Sequence, residues 1–277
     1  MNDDFEQNLQ PEPMPDPKDD PVPAADLPHQ KKPNRKIVPA IIFLILAVLW
    51  LCSGFFLGVF LFLNRDAEPK EVTALSTGEV AEQISPAVVL IRAAGKATVQ
   101  YGTGFFIRSD GYLLTNYHVV ENAKTIQITL YPGDVKKTAT LAEYDKQLDL
   151  ALLYVKGADF QTVKIGDSSS VAVGDKAIVI GNPSGEKCAW TVTEGIVSAK
   201  RVFRQETGEE SKMIQTDAAV NHGNSGGPLL NDRGEVIGVI SKKVLDSDGN
   251  TLEGIGLAIP INDAMEVAAQ WLTSESS

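Results

Sequence analysis

The longest feature in the pattern of apolar and polar positions is a run from Ile37 to Leu63 that contains no charged residue. At about 1.5 Å per residue it exceeds the roughly 20 residues a helix needs to cross a bilayer. A buried helix of a soluble domain would carry a polar face, and this run has none. Ahead of it, residues 1–36 are rich in proline and acid and end in the basic cluster Lys31, Lys32, Arg35 and Lys36. Such a segment has too few apolar groups to offset its chain entropy, so a disordered tail is expected. The four cations precede the run, whereas Arg65 and Lys70 beyond it sit among Asp66, Glu68 and Glu71. The positive-inside rule then predicts a single-pass helix with the N-terminus in the cytoplasm and the remainder outside. A cleaved signal peptide is the rival reading. The long polar N-terminal region and the absence of a small-x-small site oppose it. Gly54 and Gly58 form a spacing that lets two such helices pack closely.

Beyond a polar linker at 64–77, residues 78–277 alternate in short apolar–polar stretches broken by turn signals, which reads as an all-β domain. Strands are predicted at 87–92, 102–107, 112–115, 125–130, 138–144, 150–154, 177–180, 190–198, 213–216, 236–241 and 256–259. Ser109-Asp-Gly111 and Pro132-Gly-Asp134 supply turns. One helix is expected to close the domain, from Asn262 as N-cap to about Leu272.

Composition narrows the chemistry. A formal net charge of −11 argues against a nucleic-acid partner. Of the two cysteines, Cys52 lies inside the apolar run, so the domain holds one thiol, Cys188. Neither an internal disulfide nor a zinc site of ordinary Cys/His spacing is expected, and no cofactor or metal is implied.

Three short segments carry candidate chemistry: Thr115–Val120 with His118, Leu148–Leu153 with Asp149, and Gly223–Leu229 with Ser225. Each alone is weak, since a lone histidine, a strand-edge aspartate and a glycine loop are usually structural. Together they fit one mechanism. A serine hydroxyl needs a base to take its proton, histidine suits that task near neutral pH, and a carboxylate fixes the imidazole's tautomer. The glycines around Ser225 allow backbone N–H groups to converge on a developing oxyanion. Elimination favours His118 as the base, because the chain has three histidines. His29 is in the tail, and His222 lies too close to Ser225 in sequence to swing onto its hydroxyl. His222 is read instead as a surface loop residue.

The stretches YGTGFFIRSDGYLLTNYHVV, DLALL, VGDKAIVIGNPSG, TEGIVSAKR, IQTDAAVNHGNSGGPLLNDRGEVIGVIS and GIGLAIPI resemble, in order, the protease domain of the HtrA (Deg) family of trypsin-like serine proteases. The resemblance spans about residues 78–272. It implies a chymotrypsin-like double β-barrel with the site in the cleft between barrels. On it, His118, Asp149 and Ser225 fall on the triad positions, with the N–H groups of Gly223 and Ser225 as oxyanion donors. The position six residues before the nucleophile, at the base of the substrate pocket, is Ala219. Ile255 and Leu257 would line the same pocket. Cleavage after small or medium aliphatic residues is therefore expected, in unfolded or damaged extracytoplasmic proteins. The resemblance also implies a homotrimer. Relatives commonly continue into PDZ domains and this chain stops at Ser277, so action without one is expected. Tyr117 and His222 depart from the more usual residues. The competing reading is a catalytically silent, chaperone-like binding protein on the same fold.

Overall fold

A computed structural model describes residues 37–63, 74–204, 210–245 and 251–274. The acidic tail and most of the predicted linker lie outside the described residues. The chain divides into two compact units after Lys70. The first contains α1 (Ile37–Leu63), a helix of 27 residues. Its segment Ile42–Phe60 is wholly unburied and has a mean hydropathy of 2.6, so it is long and apolar enough to cross a membrane.

The second unit opens with α2 (Thr77–Ile84), a helix not anticipated from the periodicity because it is only eight residues long. Local chemistry holds it. Ser76 accepts from the Glu79 N–H while the Glu79 carboxylate accepts from the Ser76 N–H, so two donors that the first turn would leave unpaired are both satisfied. Val80 and Ile84 are buried, and the Leu75 N–H donates to the Asp232 carbonyl at 2.7 Å.

Six strands then close a barrel: β1 (Val88–Ala94), β2 (Val99–Phe106), β3 (Tyr112–Thr115), β4 (Thr125–Leu130), β5 (Val135–Asp145) and β6 (Leu150–Val155), in the order β1-β2-β3-β6-β5-β4. Between β3 and β4 lies a one-turn helix, α3 (Tyr117–Val120). The second sheet contains β7 (Lys164–Ile165), β8 (Lys176–Gly181), β9 (Thr191–Arg204), β10 (Glu210–Thr216), β11 (Pro228–Leu230), β12 (Glu235–Leu245) and β13 (Thr251–Pro260). Its order is β11-β8-β9-β10-β13-β12-β7, and β11 also pairs with β12, which closes six of the strands into a second barrel with β7 appended in parallel. The chain ends its described part in α4 (Ile261–Ser274).

All the predicted strands are present, most of them longer than their apolar cores suggested. β7 and β11 were missed, since two and three residues are too few to show a period. Asn262 does not act as the predicted cap, because the helix already begins at Ile261. Its side-chain oxygen instead accepts from the Ser168 N–H, and its own N–H donates to Ser168 Oγ, tying α4 to the β7–β8 connection.

Three apolar clusters result. One fills the first barrel around Ile91, Phe106, Leu113 and Leu153. A second fills the other barrel around Val179, Val220, Ile240 and Ala258. The largest lies between them, with Phe105, Leu152, Ile180, Leu257 and Ile259, and takes up α2 and α4. The two barrels are therefore packed together along an apolar seam.

The turn from β11 to β12 carries a buried acid. Burial alone would raise the carboxyl pKa of Glu235, but hydrogen bonds from Lys164, Asn231 and Arg233 outweigh it and hold the value at about 2, below the ordinary 4.5. A depressed acid contributes stability that is present above about pH 4.5 and is lost as pH falls toward 2. Because Lys164 is largely exposed, its share is screened by solvent. Glu235→Gln is expected to lower stability by about 1–2 kcal/mol at pH 7. The difference from wild type should shrink when denaturant midpoints are compared again near pH 3. An unchanged gap there would show that the carboxylate charge is not its source.

Candidate active site

The first barrel supplies two of the three predicted residues through strand register. β3 and β6 are antiparallel with Thr115 opposite Ala151, so the residues just outside the ladder, Asn116–His118 and Asp149, abut. The Tyr117 N–H and the Asn116 side-chain amide both donate to the Asp149 carbonyl, at 3.2 and 3.0 Å. These two bonds hold Asp149 at φ 57°, in the left-handed region that a non-glycine residue rarely adopts. The turn so formed aims the carboxylate at His118. Asp149 Oδ2 lies 2.8 Å from His118 Nδ1, and Oδ1 accepts the His118 backbone N–H at 2.9 Å. One carboxylate therefore grips both ends of the same histidine.

Ser225 comes from the second barrel, on the loop between β10 and β11. Thr103 of β2 reaches across: its N–H donates to the Ser225 carbonyl at 2.9 Å and its hydroxyl to the Gly223 carbonyl at 2.6 Å. In return, Ser241 of β12 donates its hydroxyl to Asp149 Oδ2 at 2.9 Å. The loop is thus fixed by bonds that run both ways between the barrels. The Ser225 hydroxyl donates to the Ser241 carbonyl at 3.0 Å.

Gly223 sits at φ 103°, and an added Cβ would lie 2.2 Å from the Asn182 carbonyl oxygen, so no other residue fits there. The carbonyl of His222 accepts from the Ser184 N–H at 3.1 Å. In a trans peptide the N–H points opposite to the carbonyl, so the Gly223 N–H is turned away from the Ser184 loop. Among the described residues neither the Gly223 nor the Ser225 N–H has an acceptor. His222 itself is exposed and contributes its main chain.

The expected pocket residues divide. Ala219 is exposed, and its carbonyl accepts from Thr193 Oγ1 at 3.0 Å. The apolar wall beside it is built by Val220 against the bare backbone of Gly256, where an added Cβ would meet Val220 Cγ2 at 2.5 Å. Leu257 is not on that wall. Side chains alternate along a strand, so Leu257 points to the cluster between the barrels while Ala258 joins Val220. Ile255 is half-buried, one residue to the other side of Gly256. The acid closest in sequence, Asp217, is occupied by the Ile196 N–H at 2.7 Å.

Sequence reasoning missed Thr103, Asn116, Asn182, Ser184 and Ser241. Their hydroxyl, amide and main-chain groups hold the site. Thr103 and Ser241 lie within GTGFF and GVIS, stretches that carry the family resemblance but do not read as members of a constellation. Cys188 is exposed at the end of a short turn, Gly185–Cys188.

Two closed β-barrels with a His–Asp pair on one and a glycine-bounded serine on the other define a trypsin-like peptidase domain. Residues 102–239 match the trypsin-like peptidase domain model. The chain is 43% identical over 178 residues to the serine protease Do-like HtrB of Bacillus subtilis, covering 61% of this chain and 38% of that protein. It is 42% identical over 166 residues to the serine protease Do-like HtrA of Lactococcus lactis, covering 57% and 40%. Among solved structures it resembles the HtrA-type protease AlgW with a tripeptide, with a TM-score of 0.63 and 34% identity over 70% of this chain and 62% of that one. The chain carries a trypsin-like peptidase domain similar to those of HtrA-type proteases. It spans about two fifths of the length of these two curated relatives.

Proposed function

We propose that this chain is a membrane-anchored serine endopeptidase in which Ser225 is the nucleophile, His118 the general base and Asp149 the residue that orients it. The observation that carries the reading is the carboxylate of Asp149, bound to both the ring and the main chain of His118 and linked through Ser241 to the Ser225 hydroxyl, in a loop whose Gly223 and Ser225 N–H groups have no acceptor among the described residues. For attack, the Ser225 hydroxyl turns from the Ser241 carbonyl toward His118 Nε2, which takes its proton as Oγ adds to the scissile carbonyl. Charge developing on the carbonyl oxygen is met by the Gly223 and Ser225 N–H groups. The imidazolium, stabilised by Asp149, then protonates the leaving amine, and water repeats the sequence to release the acyl group.

The test is to label the full chain in detergent with a serine-directed phosphonate and to locate the adduct by peptide mass. An adduct on Ser225, with cleavage of an unfolded protein in the same sample, is the expected result. An unlabelled chain that cleaves nothing would overturn it.

The same reading places α1 across the cytoplasmic membrane with the protease domain outside, since the cations lie before the helix. It takes the chain to act on unfolded or damaged polypeptides there, as a homotrimer. Val220, Gly256 and the uncharged Ala219 make a small apolar pocket without a carboxylate. Peptides with Val before the scissile bond are expected to be turned over at least about tenfold better than the Arg equivalents. Equal or better kcat/KM for Arg peptides would rule out this pocket assignment.

A further inference from the structure

The second barrel has an open end that the triad and the acyl pocket do not use. β10 pairs with β13 from Ile214 to Thr216, and β9 pairs with β8 from Thr191 to Ile196. Beyond those spans β9 and β10 continue together as a ribbon, with Lys200 opposite Ile214 and Val202 opposite Lys212. Opposed residues of an antiparallel pair share a face, and so do alternate residues of one strand. Lys200, Val202 and Lys212 therefore stand on the face of Ile214, which packs with Ala258 in the barrel's own core. Pro260, two residues along β13 from Ala258, lies on that face too. The ribbon thus forms one lip of a barrel mouth whose floor is Ile214 and Pro260.

The β7–β8 connection and the start of α4 form the facing lip, through Ser168, Ser169 and Asn262. Hydrogen bonds fix it. The Asn262 side-chain amide and the Ser169 N–H both donate to Asp167 Oδ1, at 2.8 and 2.9 Å. Lys200 Nζ reaches across the mouth and donates to the Ser169 carbonyl at 3.1 Å. The space enclosed is about 320 Å³, within the range of small-ligand pockets.

The charge of this mouth runs against that of the chain. Three cations line it, Lys200, Arg201 and Lys212, against the single acid Asp263, in a chain of net charge −11. Arg201 points to the other face of β9, where it donates to Gln215 Oε1 at 3.0 Å. Lys200 and Lys212 remain as the cations on the inner face. They are diagonal neighbours across the ribbon, with Cβ atoms about 7–8 Å apart, so both ammonium groups can reach one carboxylate. A small anion would leave the apolar floor wet, and a neutral chain would leave the lysines unused. An amphiphile with an anionic head satisfies both. At about 30 Å³ per heavy atom, the share of one liquid water, the space holds roughly ten atoms.

We infer that the mouth of the second barrel is a binding site for a monoacyl carboxylate of roughly ten carbons. The aliphatic chain lies on Val202, Ile214 and Pro260, and the carboxylate sits between Lys200 and Lys212. The site is separate from the acyl pocket: Thr216, which pairs with Gly256, is four residues from Lys212, roughly 13 Å along β10. The inference does not depend on the endopeptidase reading.

The test uses the full chain in phosphatidylcholine nanodiscs and a photoreactive diazirine analogue of decanoate, with adducts located by peptide mass. Label is expected on residues 200–202 and 212–214. Label on α1, which records partition into the bilayer, is the internal reference. Excess decanoate should lower the domain label about tenfold, whereas decanol at the same concentration should leave most of it. Lys200→Gln combined with Lys212→Gln should lower it about tenfold relative to α1, the order expected when charge-assisted hydrogen bonds are lost. Val202→Glu, at an exposed position, sets an anion in the mouth and should do the same, and it serves if the double variant does not fold. No domain label in wild type, or a label that neither variant changes, overturns the inference. Equal displacement by decanol overturns it as well, since the groove would then be apolar without a carboxylate site. Displacement by decanoyl lysophosphatidylglycerol but not decanoate would assign the mouth to a lipid headgroup, and displacement by an acidic peptide alone would assign it to a polypeptide. Either result overturns the carboxylate.

Discussion

Ser225→Ala is expected to lower peptide turnover by about a millionfold and to abolish phosphonate labelling, with little change in thermal midpoint. On the proposed mechanism, the first effect follows from removing the atom that forms the acyl bond. Some rate above the uncatalysed reaction should remain, because the Gly223 and Ser225 N–H donors are main-chain groups and survive the substitution. The small effect on stability follows from what the hydroxyl does at rest. Its bond is to the Ser241 carbonyl at 3.0 Å, and one such bond is worth roughly 1 kcal/mol net. The loop's own anchors, the Thr103 bonds to the Ser225 and Gly223 carbonyls, are untouched. Stopped proteolysis with an unchanged melting curve is therefore the signature sought. Undiminished cleavage would remove Ser225 from the mechanism.

Asp149→Asn is the more searching substitution, expected to cost about ten-thousandfold in kcat at neutral pH without unfolding the domain. The carboxylate accepts from three donors: the His118 main-chain N–H at Oδ1, and the His118 ring and the Ser241 hydroxyl at Oδ2. An amide offers one acceptor and one donor in the same space. If its oxygen keeps the His118 main-chain N–H, its NH₂ faces both the ring nitrogen and the Ser241 hydroxyl. Nδ1 must then lose its proton, which moves to Nε2, and the nitrogen proposed to take the Ser225 proton ceases to be a base. The Asp149 carbonyl, fastened by Tyr117 and Asn116, keeps the turn in place, so the loss should be chemical rather than structural. Steady-state rates on the Val peptide, with melting curves alongside, decide it. A loss below about tenfold would mean that Asp149 does not set the tautomer.

His118, Asp149 and Ser225 could be singled out because the proposed chemistry restricts residue type and the chain offers few histidines. What supports them could not. Thr103 and Ser241 are separated from the residues they hold by 120 and 92 positions. No local period carries such a relation; it exists only once both barrels have closed. The pocket shows the same limit at shorter range. Ile255 and Leu257 are the apolar residues on either side of Gly256 and invited assignment to the wall. Strand alternation, fixed by which face meets which core, sent Leu257 to the seam between the barrels and left Gly256 against Val220. The short elements α2, β7 and β11 fell below the length at which periodicity speaks.

The sequence by itself determined a charge-free helical span, an all-β domain of short strands, and a histidine, an aspartate and a serine set in glycine- and strand-bounded segments. These are properties of composition and local period, which need no partner far along the chain. Tertiary structure alone decided the left-handed turn of Asp149, the orientation of the Gly223 peptide, the bonds from Thr103 and Ser241, and the open mouth of the second barrel. Each is a relation between groups that only barrel closure and strand register bring within hydrogen-bonding distance.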